Sequence, residues 1–201
     1  MPRFPLVVVP IAVLATVVAA GALWRLGDIR AHRTETVTVG PTNIGGPFTL
    51  TDQNGVRRSD ADFRGKYMLV FFGYTFCPDV CPNTLSIMGA ALDKLGGQAD
   101  RIVPIFITVD PARDTPTVLK AYMAAFGPNF VGFTGTEEEI ASVAKAYRVY
   151  YQAHKEQGEN YAIDHSGVVY LMDKNGLFLG NYSLDTSADK LAAELAKKTA
   201  G

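Results

Sequence analysis

The chain has 201 residues, 48% of them apolar and 19% charged, enough for one ordinary globular domain plus a short appendage and too apolar for a disordered chain. Its formal net charge of −1 is unevenly spread: residues 1–33 hold four Arg and one Asp, which leaves 15 basic and 19 acidic residues beyond them. A mildly acidic remainder offers no basic stripe for phosphates, which argues against a nucleic-acid function, and two Cys exclude a disulfide-dense scaffold.

The first element is an uncharged run from Leu6 to Trp24, LVVVPIAVLATVVAAGALW. At 1.5 Å per helical residue it is about long enough to cross a ~30 Å hydrocarbon core, so residues 1–33 are expected to form a membrane anchor with its span at about 6–24. Small residues at Ala19, Ala20 and Ala22 also admit a cleaved signal peptide, but the run exceeds the usual length of such a segment. Arg25, Arg30 and Arg33 follow the span while only Arg3 precedes it; that count alone argues against export of the rest, and the chemistry of the cysteines below is given precedence over it. Residues 34–44, with Gly40-Pro41, read as a tether.

A domain is expected over 45–201. Phe48–Thr51 and Val56 flank a Gln53-Asn54-Gly55 hairpin signal, and Tyr67–Tyr74, YMLVFFGY, is a near-continuous apolar run of the kind found in a strand covered on both faces. A helix from about Pro82 to Leu95 places Leu85, Met88, Leu92 and Leu95 on one face, and Ile102–Val109 is a second buried strand. Thr115-Pro116 opens a helix to about Phe126, and Thr136 with Glu139 forms a capping box for a helix to about Tyr147. Val168–Met172 and Leu177–Tyr182 flank an Asp173-Lys174-Asn175-Gly176 turn, and Ser187 caps a final helix. This series predicts an α/β fold, a thioredoxin-like mixed sheet with helices on both faces. Met68, Met88, Met123 and Met172 fall in the periodic segments and read as core fillers.

Both cysteines lie in Thr75-Phe76-Cys77-Pro78-Asp79-Val80-Cys81-Pro82, directly after the first central strand, where open α/β sheets bind ligands. Each precedes a Pro, which disfavours helical angles at Cys77 and Cys81; the helix is expected to start at Pro82 with Cys81 at its N-cap and both sulfurs drawn toward thiolate by the helix terminus. Two soft thiolates on a short loop can clasp a soft cation, Cu(I) above all, or close a disulfide. A purely structural disulfide would constrain little, because its loop is short and the core is large. A tetrahedral zinc site lacks further Cys. A catalytic dithiol and a copper site both stay open on these residues.

The segments CPDVCP (77–82), FITVDPARDT (106–115), VGFTGT (131–136), AYRVYY (146–151) and Asp164-His165, taken together over nearly the whole domain, resemble the Sco/SenC proteins that assist assembly of the copper centre of cytochrome c oxidase. The resemblance implies a thioredoxin-like copper-binding domain behind a membrane anchor, facing the periplasm or an equivalent exported space; the lack of a long Arg-rich, Ser-rich presequence points to a single-pass anchor in a bacterial inner membrane, with the domain in the periplasm. The resemblance implies as partners subunit II of the oxidase, which carries the binuclear copper centre, and a small copper-donor protein.

Of the three His, His32 follows the membrane segment and His154 sits in a polar stretch, AHKEQGEN, that reads as a solvated loop. His165 precedes the Val168 strand, where thioredoxin-like folds bring a loop near the cysteines. Disulfide exchangers of that fold usually keep a cis-Pro there, and no Pro follows Pro128 in this chain. The resemblance makes Cys77, Cys81 and His165 the metal ligands, a set able to hold both Cu(I) and Cu(II). The alternatives are a thiol-disulfide reductase of the subunit II cysteines, with Cys77 and Cys81 as its catalytic dithiol, and a redox or copper sensor. Asp110, Arg113 and Asp114 should share the edge of the sheet with the cysteines, either tuning the site or forming an ordinary loop salt bridge with Asx-type turns. Asp79 is expected to be exposed between the two Cys.

Overall fold

The apolar runs determine which strands lie at the centre. The computed structural model describes residues 44–200; the expected span at 6–24, all but the last residue of the tether and His32 lie outside the described residues. Within them, β3 (Tyr67–Gly73) is buried at every position, and β4 (Ile102–Thr108) is buried at all but one. They pair in parallel from Tyr67↔Ile102 to Gly73↔Thr108. β5 (Val131–Thr134) runs parallel to β4, and β1 (Thr49–Asp52), β2 (Arg57–Ser59), β8 (Val168–Met172) and β9 (Phe178–Ser183) supply the antiparallel pairs. These seven strands form one mixed sheet in the order β2-β1-β5-β4-β3-β8-β9.

Both expected hairpins form, and by the same chemistry. Asp52 Oδ1 accepts from the amides of Asn54 and Val56 at 2.8 and 3.0 Å, and Asp173 Oδ1 accepts from those of Asn175 and Leu177, each at 2.8 Å. Gly55 and Gly176 supply the positive φ that each turn requires, +79° and +74°.

Four helices cover the sheet among the described residues: α1 (Val80–Leu95), α2 (Pro116–Met123), α3 (Glu137–Ala146) and α4 (Ala188–Lys198). The face bearing Gly73, Phe106 and Gly132 meets Cys81 of α1 and Leu119, Tyr122 and Met123 of α2, while α4 packs against α1. On the other face, Phe72 and Tyr170 stack against Tyr147, which ends α3, at centroid distances of 5.3 and 5.6 Å. The mixed sheet with helices on both faces is therefore present. The capping box of Thr136 and Glu139 closes as expected, and Thr115 caps α2 through the Val118 amide.

Three features differ from the sequence expectation. The cysteine helix starts at Val80, with Asp79 as its N-cap, rather than at Pro82. Pro82 is tolerated in the first turn because the amide it lacks would have had no helical acceptor; the first bond runs from the Asn83 amide to the Asp79 carbonyl at 3.1 Å. Helix α2 stops at Met123 rather than Phe126, since the amides of Ala125 and Phe126 turn to the carbonyls of Tyr122 and Met123, three residues back. Between α3 and β8 the chain is not a plain loop. It forms β6 (Tyr151–Ala153) and β7 (Ile163–His165), an antiparallel pair separate from the main sheet.

Candidate metal centre

The cysteine segment leaves β3 at Gly73 and reaches α1 within seven residues. Its entry is fixed by Asp114, whose wholly buried carboxylate accepts from the Thr75 amide at 3.0 Å, the Thr75 hydroxyl at 2.6 Å and the Thr108 hydroxyl at 2.5 Å. Burial raises the Asp114 pKa above the ordinary carboxylate value, and these bonds oppose the shift. Asp110 and Arg113 form an ion pair in the turn after β4, and the Tyr161 hydroxyl donates to Asp110 at 2.6 Å. The loop salt bridge anticipated for these residues is thus present, and its guanidinium lies over the rings of Tyr74 and Phe76 beside the cysteine loop.

Cys77 lies half-buried on the loop and Cys81 is fully buried in the first turn of α1. Both are free thiols, and the Cys81 amide points at Cys77 Sγ from 3.5 Å. Gly73 makes room for the inner sulfur: a Cβ at that position would stand 2.6 Å from Cys81 Sγ and 3.0 Å from the Phe106 ring. Burial pushes the Cys81 thiol well above its ordinary pKa. The expected drift of this sulfur toward thiolate is corrected accordingly, because desolvation outweighs what a helix terminus supplies. A soft cation must displace that proton to bind.

The third donor arrives on β7. His165 packs its ring edge-on to Phe71 and Tyr74, with centroids 6.0 and 5.9 Å away. Its Nδ1 lies 3.3 Å from the Ser166 carbonyl, an acceptor only, so Nδ1 carries the hydrogen and Nε2 offers its lone pair toward Cys81 Sγ at 3.5 Å. Burial lowers the His165 pKa and favours this neutral form. The two sulfurs and the imidazole nitrogen all lie within 4.8 Å of one another, and they form the only group of three metal-donor side chains gathered among the described residues. Bond lengths of about 2.0 Å to nitrogen and 2.3 Å to sulfur separate trigonal donors by about 3.7 Å (nitrogen to sulfur) and about 4.0 Å (sulfur to sulfur); donors within 4.8 Å of one another, with Cys81 Sγ and His165 Nε2 at 3.5 Å, need only a small adjustment to meet one ion.

His154 is not brought to this centre. Its ring lies between Asp164 Oδ2 at 2.9 Å and Glu156 Oε1 at 3.2 Å, which raise its pKa and brace β6 against β7. Asp79 is exposed, as expected. Sequence reasoning missed Gly73 and Tyr74. A glycine ending a strand of bulky residues is a sign of close approach, and here it marks the sulfur. Tyr74 accepts the Ile163 amide on its hydroxyl at 3.3 Å and so ties β7 to the end of β3. No pattern in the sequence marks that long-range bond.

Such an arrangement can bind a soft cation and can close a disulfide. The family described as SCO1/SenC matches residues 36–200. Protein sco1 of Schizosaccharomyces pombe is 42% identical over 159 residues, covering 77% of this chain and 60% of that protein, so the chain spans less than two thirds of that relative's length. ScoI of Bradyrhizobium japonicum, solved with copper bound, is 44% identical with a TM-score of 0.72, over 77% of this chain and 99% of that one. BsSco, a member of the Sco family of cytochrome c oxidase assembly proteins in which a disulfide switch was identified, is 25% identical with a TM-score of 0.65, over 80% of this chain and 96% of that one.

Proposed function

Because the chain belongs to the SCO1/SenC family, we propose that it binds copper as cargo for the assembly of cytochrome c oxidase and delivers it to the binuclear centre of subunit II. The observation that carries this reading is the gathering of Cys77, Cys81 and His165 within 4.8 Å: two soft sulfurs suit Cu(I), and the added nitrogen makes Cu(II) accessible as well. The copper held by the Bradyrhizobium relative supports it. Cys77 and the exposed Phe76 and Val80 leave one side of the centre open, as transfer by ligand exchange requires. A small copper-donor protein is the natural source of the ion.

Residues 6–24 are proposed to span the inner membrane of a bacterium, 34–44 to tether, and 45–201 to form the copper-binding domain on the periplasmic side. The uncharged run supports the span, and a thiol pair that works by redox change supports the oxidising side. Among the described residues no helix is long and apolar enough to cross a membrane.

A second reading is favoured by the two free thiols themselves. The pair can reduce the disulfide of subunit II: an S–S bond forms between Cys77 and Cys81, the partner's S–S bond breaks, and two electrons with two protons pass to the partner's sulfurs.

Copper titration of the reduced full-length protein in detergent, combined with oxidase assembly in cells, separates the readings. One copper per chain is expected, lost in Cys77→Ser and Cys81→Ser because a hydroxyl is a poor donor to Cu(I). His165→Ala should keep thiol exchange yet block assembly. Normal oxidase activity with His165→Ala at ordinary copper supply would sink the delivery reading and leave the reductase one.

A further inference from the structure

Arg113 lies where three segments meet: the cysteine loop, the turn after β4, and the strap that ends in β7. Its Nε pairs with Asp110, and its Nη1 donates to the Glu159 carbonyl at 3.2 Å. The remaining Nη2 is buried without a hydrogen-bond partner, and the guanidinium is enclosed by rings instead. It lies 3.6 Å from the centroid of Tyr161, 4.7 Å from that of Phe76 and 5.8 Å from that of Tyr74. Tyr161 and Glu159 belong to the strap leading to His165, whereas Tyr74 and Phe76 bracket the approach to Cys77. The Tyr161 hydroxyl returns to Asp110 at 2.6 Å, which closes a ring of contacts around the cation.

We propose that Arg113 is a positioning residue of the metal centre, clasping the strap that carries His165 to the loop that carries Cys77 and so setting the nitrogen-to-sulfur separation. The inference rests on the ligand set put forward above. A planar fork suits this role, since one edge keys to a carboxylate and a carbonyl while both faces remain free for aromatic rings, an arrangement that an ammonium cannot reproduce. The strap belongs to the two-stranded sheet outside the main ladder, so its position over the sulfurs depends on side-chain contacts such as these. Loss of the clasp lets the imidazole recede while the sulfurs stay on α1 and its loop. Cu(II), which depends on the nitrogen donor, suffers; Cu(I), held by two thiolates, suffers little.

The test uses the full-length reduced protein, with Cu(I) and Cu(II) affinities and the sulfur-to-Cu(II) absorption band as readouts. Arg113→Lys keeps the charge and removes the fork; a Cu(II) affinity lower by about tenfold, the usual size of a supporting-shell loss, with a shifted band and nearly unchanged Cu(I) affinity, supports the clasp. Wild-type Cu(II) affinity and band in the folded variant overturn it, as does an equal loss for both oxidation states, which would mean general loosening. If Arg113→Lys fails to fold, Tyr161→Phe decides by the same criteria, since it keeps the ring under the guanidinium and deletes only the hydroxyl on Asp110. His165→Ala distinguishes the two failures: unchanged Cu(II) binding there removes the ligand set, and the clasp with it, whereas loss of Cu(II) there with silent clasp variants removes the clasp alone.

Discussion

At His165 the two ring nitrogens face different partners, a carbonyl at Nδ1 and a sulfur at Nε2. That division ties metal readiness to acid stability, because burial lowers the pKa of the ring in the folded chain. Below the unfolded value of about 6.5 the unfolded chain takes up a proton that the folded chain resists. The stability contributed is therefore full above that pH and is lost as pH falls from there toward the folded value. Urea unfolding of the metal-free protein should show a midpoint that drops between about pH 7 and pH 5, and His165→Ala should flatten this drop. His154 works with the opposite sign, since Asp164 and Glu156 raise its pKa: its contribution is present at low pH and fades as pH rises. A slope unchanged by His165→Ala would show that the ring is not buried neutral. Sequence reasoning singles out His165 by its place before the Val168 strand and by the resemblance. The tautomer is beyond its reach, because that depends on which carbonyl the fold brings alongside.

At the scale of elements, legibility follows length and local chemistry. Strands β3 and β4, the hairpin turns and the capped helices α2, α3 and α4 carry their signals within a few residues, through apolar runs, Asx turns and N-caps. The short strands β5, β6 and β7, of three or four residues each, are too brief for alternation to register; β5 pairs with the distant β1, and β7 is tied to Tyr74, far away in sequence. The start of α1 escapes the pattern because a proline most often marks the first helical position, whereas any of the first turn's amides lacks a helical acceptor and can be spared. The strap of β6 and β7 is also where one bond should matter most. Tyr74→Phe removes the hydroxyl acceptor of the buried Ile163 amide, a loss of about 1 to 3 kcal/mol when a buried donor is left unpaired. Faster hydrogen exchange at Ile163 and neighbouring strap amides, with exchange in β3 and β4 unchanged, is the expected result; uniform protection across strap and sheet would show that the hydroxyl is dispensable.

For the molecule as a whole, the sheet puts the two sulfurs past the C-terminal end of β3, beyond Gly73, where the parallel strands β3 and β4 open into loops. The buried apolar core of the described residues runs from Phe48 to Leu195 as one cluster, so a fragment of residues 34–201 should unfold in one cooperative transition on heating, checked by agreement between calorimetric and spectroscopic midpoints. Two separated transitions would mean that the domain boundary is misplaced. In the full chain, a reporter fused after Gly201 should be active only when it functions outside the cytoplasm. Cytoplasmic activity would restore the orientation that the arginines after Trp24 favour.

If the chain delivers copper as proposed above, the unequal burial of the two sulfurs gives that handover a direction in time. Cys81 is enclosed by the side of α1, the Phe106 ring and the space that Gly73 leaves open, and no incoming group can reach it first. In that delivery an acceptor would make its opening contact at the Cys77 side, beside the exposed Phe76, and the inner sulfur would be the last to let go. Under the proposed delivery, copper would leave by an ordered sequence of exchanges rather than by a simultaneous release, and an acceptor that cannot displace the outer sulfur would not gain access to the inner one.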